Sequence, residues 1–79
     1  MLTNNILGGI VMIKVDVRGL SCPEPVLRVK EAVESNSSEE LKVFANEAHT
    51  VKNITKFCHK IGKEVQTEEK GLEYELIIK

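Results

Sequence analysis

The sequence predicts a small α+β domain: a two-layer α/β sandwich with the order β-α-β-α-β-β, two helices on one face of a four-stranded mixed sheet. Three observations predict it. Apolar and polar residues alternate around Ile13 to Val17, Leu41 to Ala45 and Leu72 to Ile78, the period of a half-buried strand. Between these runs, two stretches place apolar residues three or four positions apart, the period of an amphipathic helix. Strands and helices alternate along the chain until two strands follow each other at its end. Two helices over one face of such a sheet bury both kinds of apolar surface economically.

The elements follow in order. Ile13, Val15 and Val17 alternate with Lys14, Asp16 and Arg18 as a first strand. Gly19 ends it, and a short loop leads to Cys22. Val26, Val29 and Val33 share one helical face, widened by Leu27 and Ala32, so a first helix runs from about Glu24 to Glu34. Its start has two open registers: Cys22 as cap with Pro23 first, or Glu24 as cap with Pro25 first. Ser21 with Glu24 also fits a capping box. In every register the thiol of Cys22 lies within about one turn of the helix start. Residues 35–38 read as a polar loop.

Leu41, Val43 and Ala45 form a second strand, and Asn46 is the expected cap of a second helix. Ala48, Val51, Ile54, Cys58 and Ile61 recur along that helix with Phe57 beside them, and Gly62 is placed to end it. Val65 to Glu68 is a weak third strand, and Lys70-Gly71 is a turn. Leu72, Tyr74, Leu76 and Ile78 form the apolar face of a fourth strand. Residues 12–79 make up the expected domain. Residues 1–11 are expected to be a disordered extension, with a lengthened first strand as the alternative.

Composition narrows the function. A chain of 79 residues, 42% hydrophobic and 29% charged, has room for one modest core and none for a deep substrate cavity. A net charge of -1, with no basic clusters and no Trp, argues against direct nucleic-acid binding. The apolar run Ile6 to Met12 is too short for a membrane span and lacks the positive start of a signal peptide. Two cysteines do not make a disulfide scaffold. The expected location is the cytoplasm, where Cys22 stays a free thiol.

Ser21-Cys22-Pro23-Glu24-Pro25 carries the chemistry. Proline fixes its own backbone and suits the first turn of a helix, so the pair builds a stiff entry with a thiol at its lip. The partial positive charge of a helix N-terminus favours thiolate over thiol. Pro23 and Pro25 offer no N–H, which leaves the amides of Glu24 and Val26 as donors to an anionic sulfur. Glu24 itself reads as a solvated acid at the helix start. Arg18, just upstream, reads either as a cation near Cys22 or as a solvent-facing strand end. Cys58 falls between Ile54 and Ile61 and reads as a core residue. His49 and His59 read as solvated, and no Cys or His spacing matches a metal site, so neither a metal nor another cofactor is expected. Lys52, Lys56, Lys60 and Lys63 read as a solvated face.

Asp16-Val17-Arg18-Gly19-Leu20-Ser21-Cys22-Pro23-Glu24-Pro25 resembles the D-x-R-G-L-x-C-P-x-P signature of the TusA-like (SirA-like) sulfur carriers. The resemblance extends over about residues 12–79. Phe57-Cys58 is similar to a pair on the second helix of some members. The resemblance implies a persulfide carried on Cys22, with Arg18, Gly19, Pro23, Glu24 and Pro25 as the supporting motif. It implies sulfur donors such as a cysteine desulfurase, a rhodanese or a transporter, and an acceptor protein in thiolation, cofactor-synthesis, sulfur-oxidation or selenium pathways. Many members carry Asp-Asp where this chain has Asn46-Glu47, a difference that bears on partner choice. The expected function is therefore a small monomeric sulfur carrier or sulfurtransferase. The rival is a non-catalytic redox-sensing or regulatory interaction module.

Overall fold

Two apolar strands occupy the middle of the sheet, and two more polar ones form its edges. The computed structural model describes residues 12–36 and 39–79. The expected extension at residues 1–11 lies outside the described residues. The elements are β1 (Met12–Asp16), α1 (Glu24–Ser35), β2 (Glu40–Ala45), α2 (Ala48–Lys60), β3 (Val65–Lys70) and β4 (Glu73–Ile78). The sheet order is β1-β2-β4-β3. β1 runs parallel to β2, and β4 runs antiparallel to both β2 and β3. A parallel pair needs a crossover, which α1 supplies. The architecture is the mixed four-stranded sheet with two helices that the periodicities predict.

Leu41, Val43 and Ala45 of β2 and Leu76 and Ile78 of β4 are fully buried, as alternation in the inner strands requires. Against them pack Val29 and Val33 of α1 and Ile54 and Cys58 of α2. Val17, just past β1, closes the core at the end that leads to Cys22. At the edge, β3 exposes five of its six residues, all of them polar or charged, in a run from Gln66 to Lys70. Such an edge resists pairing with another chain.

Five local expectations need correction. Asn46 does not cap α2: the capping position is Glu47, and no side chain bonds back to the helix. Nor does a side chain cap α1, so the Ser21–Glu24 capping box is absent. The capping position there is Pro23, one residue from either register read in the sequence. Leu72 belongs to the turn before β4 and is 92% exposed. Ala48 and Ile61 are also exposed, and Thr50 takes the buried place on the first turn of α2.

The end of α2 follows its sequence signal. Gly62 has φ of 80°, in the left-handed region that favours glycine. The N–H of Gly62 donates to the His59 carbonyl at 3.1 Å, and the N–H of Lys63 donates to the Cys58 carbonyl at 2.8 Å. This pair of bonds is a Schellman termination. It turns the chain away after Lys60 and takes Ile61 off the buried stripe.

Candidate functional site

Two consecutive turns carry the chain from β1 to α1 and set Cys22 at the domain surface. The N–H of Val17 donates to the Phe44 carbonyl at 2.9 Å, extending the β1–β2 pairing by one residue. The N–H of Leu20 then donates back to Val17 at 3.4 Å, closing the first turn over Gly19, whose φ is 79°. The Asn46 amide oxygen accepts the Gly19 N–H at 3.4 Å. Asn46 therefore braces the thiol loop from the end of the neighbouring β2 instead of capping its own helix. The second turn is closed by the Glu24 N–H, which donates to the Ser21 carbonyl at 2.8 Å.

Cys22 is exposed, and its peptide bond to Pro23 is cis. Pro25 is buried against the domain and anchors the start of α1. Of the two amide donors expected near the sulfur, that of Glu24 is already taken by Ser21. Leu27 donates to the Pro23 carbonyl, which leaves the Val26 N–H without a backbone acceptor among the described residues. Glu24 is exposed and sits 3.7 Å from Arg28, one turn along the same helix.

Arg18 is engaged by two carboxylates. It clasps Asp16 with two side-chain bonds, at 2.9 and 2.8 Å, and reaches Glu73 of β4 at 3.0 and 3.1 Å. Its guanidinium also lies 5.7 Å from the centre of the Phe44 ring. The bonds to Asp16 and then Glu73 raise its proton affinity, and in return they hold the Asp16 carboxyl down at about 2. Arg18 thus ties the thiol loop to β4, past the intervening β2, and the partner at Glu73 is 55 residues away in sequence.

A crevice opens between Cys22 and the first turn of α2. Its walls are Cys22, Pro23, Pro25 and Val26 on one side and His49, Thr50 and Asn53 on the other. Its free volume is about 10 Å³, room for roughly one water-sized sphere. By sequence alone His49 reads as solvated. It is exposed, yet it borders the thiol crevice, and its Nε2 lies 3.0 Å from a Glu47 carboxylate oxygen. No sequence spacing links residues 22 and 49; only the packing of α1 on α2 does. Larger depressions lie elsewhere. One crosses the open sheet face at Lys42, Gln66, Glu68, Lys70 and Glu75, where Glu75 takes ion pairs from both lysines. Among the described residues, no three metal-ligating side chains come together, and no helix is long and apolar enough to cross a membrane.

Cys58 is fully buried, and burial pushes its thiol up to about 11, with Lys63 partly opposing the shift. Two consequences follow. At neutral pH a thiol reagent should modify Cys22 and spare Cys58 until the domain unfolds; equal labelling of both in the folded protein would contradict this. The shift also makes folding favour the protonated thiol, so Cys58 contributes stability that is lost as pH rises from about 9 to about 11. A Cys58→Ala variant should lose that part of the alkaline decline.

A family model described as sulfurtransferase TusA matches residues 13–79, most of the chain. The chain belongs to the TusA family. It is 34% identical over 68 residues to the sulfur carrier protein TusA of Allochromatium vinosum, covering 84% of this chain and 90% of that one. It is 42% identical over 59 residues to the sulfur carrier protein TusA of Pseudomonas entomophila, covering 71% and 74%. The crystal structure of a SirA-like protein from Desulfitobacterium hafniense superposes with a TM-score of 0.79 at 27% identity, over 85% of this chain and 95% of that one. The TusA-like and SirA-like resemblance carried by the sequence signature is thus shown, and so is the fold it implies.

Proposed function

We propose that this TusA-family protein is a sulfur carrier that holds sulfane sulfur as a persulfide on Cys22 and passes it to a partner protein. The observation that carries the reading is the exposed Cys22 at the head of α1, in a loop tied down on several sides. Asn46 holds Gly19, Arg18 holds Asp16 and Glu73, and Pro25 is buried. A nucleophile on a braced loop meets an incoming partner in one orientation. The small crevice gives no purchase for a large small-molecule substrate, so recognition falls to protein surfaces. The named relatives are sulfur carriers, which supports the same role here.

The chemistry needs no cofactor. The Cys22 thiolate attacks the terminal sulfur of a donor persulfide, the donor's S–S bond breaks, and the donor leaves as a thiolate. The second transfer repeats the exchange with an acceptor thiolate attacking the outer sulfur of Cys22. The test is a two-stage transfer with isotopically labelled sulfur. A cysteine desulfurase and cysteine load the protein, which is then freed of donor and offered an acceptor thiol. Label that enters and then leaves the protein supports the carrier. A protein that takes no label but is oxidised reversibly at Cys22 by peroxide is instead the redox-sensing module.

A further inference from the structure

Besides the thiol, the crevice at Cys22 has one ionisable side chain in its wall, His49, and that side chain has a carboxylate partner of its own. Glu47, at the capping position of α2, has extended backbone, and its side chain makes no capping bond to the helix. Its Oε1 instead lies 3.0 Å from His49 Nε2. A carboxylate 3.0 Å from Nε2 engages that edge of the ring and leaves Nδ1 as the nitrogen available to take a proton. A nucleophile, a histidine beside it and an acid that orients the histidine make up the usual arrangement for activating a thiol. Both His49 and Glu47 are more than half exposed, so neither is placed by core packing.

We infer that His49, oriented by Glu47, takes the proton of the Cys22 thiol during sulfur transfer. The inference rests on the carrier reading above. His49 Nδ1 accepts the thiol proton, and the Cys22 sulfur attacks the terminal sulfur of the donor persulfide. The S–S bond of the donor breaks, and its electron pair stays on the departing donor sulfur. His49 returns the proton to that thiolate. The products are Cys22 persulfide and donor thiol, and neither an oxidant nor a reductant is consumed. Glu47 acts as a positioning residue through the ring.

Among the described residues, few groups surround His49. Glu47 faces it directly, and Cys22 lies across the crevice. Pro23, Pro25 and Val26 of the loop and α1, and Thr50 and Asn53 of α2, carry no titrating group. Glu24 at the start of α1 is engaged with Arg28, and Lys52 follows His49 by three residues on α2.

The test is the single-turnover rate of Cys22 loading from glutathione persulfide, followed across pH in the parent, His49→Gln and Glu47→Gln. Loading in His49→Gln should slow by about tenfold or more near neutral pH, within the usual range for general acid–base catalysis. The deficit should shrink as pH rises and hydroxide takes over as base, while the thermal melt stays that of the parent. Glu47→Gln should show a smaller deficit of the same pH dependence. Loading of His49→Gln at the parent rate, or a deficit that is constant across pH, overturns the inference while leaving the carrier standing. A parent that does not load at any pH overturns both.

Discussion

Cys22→Ser is expected to abolish sulfur loading and to leave the thermal melt close to that of the parent. The side chain is exposed, and the loop around it is held by bonds that do not involve the sulfur. Surface substitutions of this kind usually change stability by less than about 0.5 kcal/mol. A serine hydroxyl forms no persulfide, so the loss should be complete and not partial. Cys58 offers no substitute because it is buried and its thiol is held protonated. Loading measured on the folded variant checks this, with the melt as its control. Loading that survives in Cys22→Ser would move the sulfur site elsewhere.

The largest loss of stability is expected from Ile54→Ala. Ile54 is fully buried on the stripe Thr50, Ile54 and Cys58 that α2 lays on the sheet. Truncating a buried isoleucine costs about 2–5 kcal/mol, from lost transfer free energy and the cavity left behind. Whole-domain stability is only about 0.05–0.15 kcal/mol per residue, so a chain of this size loses a large fraction of its total. Leu72→Ala is the matched control: the side chain is 92% exposed, and removing it should cost almost nothing. Chemical denaturation of the two variants reads both effects. Similar midpoints would mean that α2 does not pack on the sheet as described.

Leu72 also marks how far the sequence carries. Alternation correctly assigns Leu76 and Ile78 to the core, because a strand's period fixes which face each residue takes. It does not say where the strand begins, and the turn at Gly71 removes Leu72 from the sheet while keeping its parity. Ile61 is the same case on a helix: its spacing fits the stripe, but the Schellman turn ends the helix first. The ten-residue signature led to Cys22 and to the family. What it could not show are the contacts made between distant segments. Asn46 is a good capping residue by local preference, yet the Gly19 amide 27 residues away claims its side chain. Arg18 reads as a strand-end cation until Glu73 is brought opposite it by the β1-β2-β4 order. His49 gains meaning only because α1 and α2 meet at the crevice beside Cys22.

The most direct measurement is the mass of the peptide containing Cys22 after the folded protein has been incubated with a persulfide donor. The protein should gain the mass of one sulfur, the gain should map to the Cys22 peptide, and a thiol reductant should remove it. The Cys58 peptide should be unchanged. A sulfur found on Cys58, or no gain at Cys22 when the donor is shown to be active on a thiol control, would contradict the assignment of Cys22 as the carrier of sulfur in this protein.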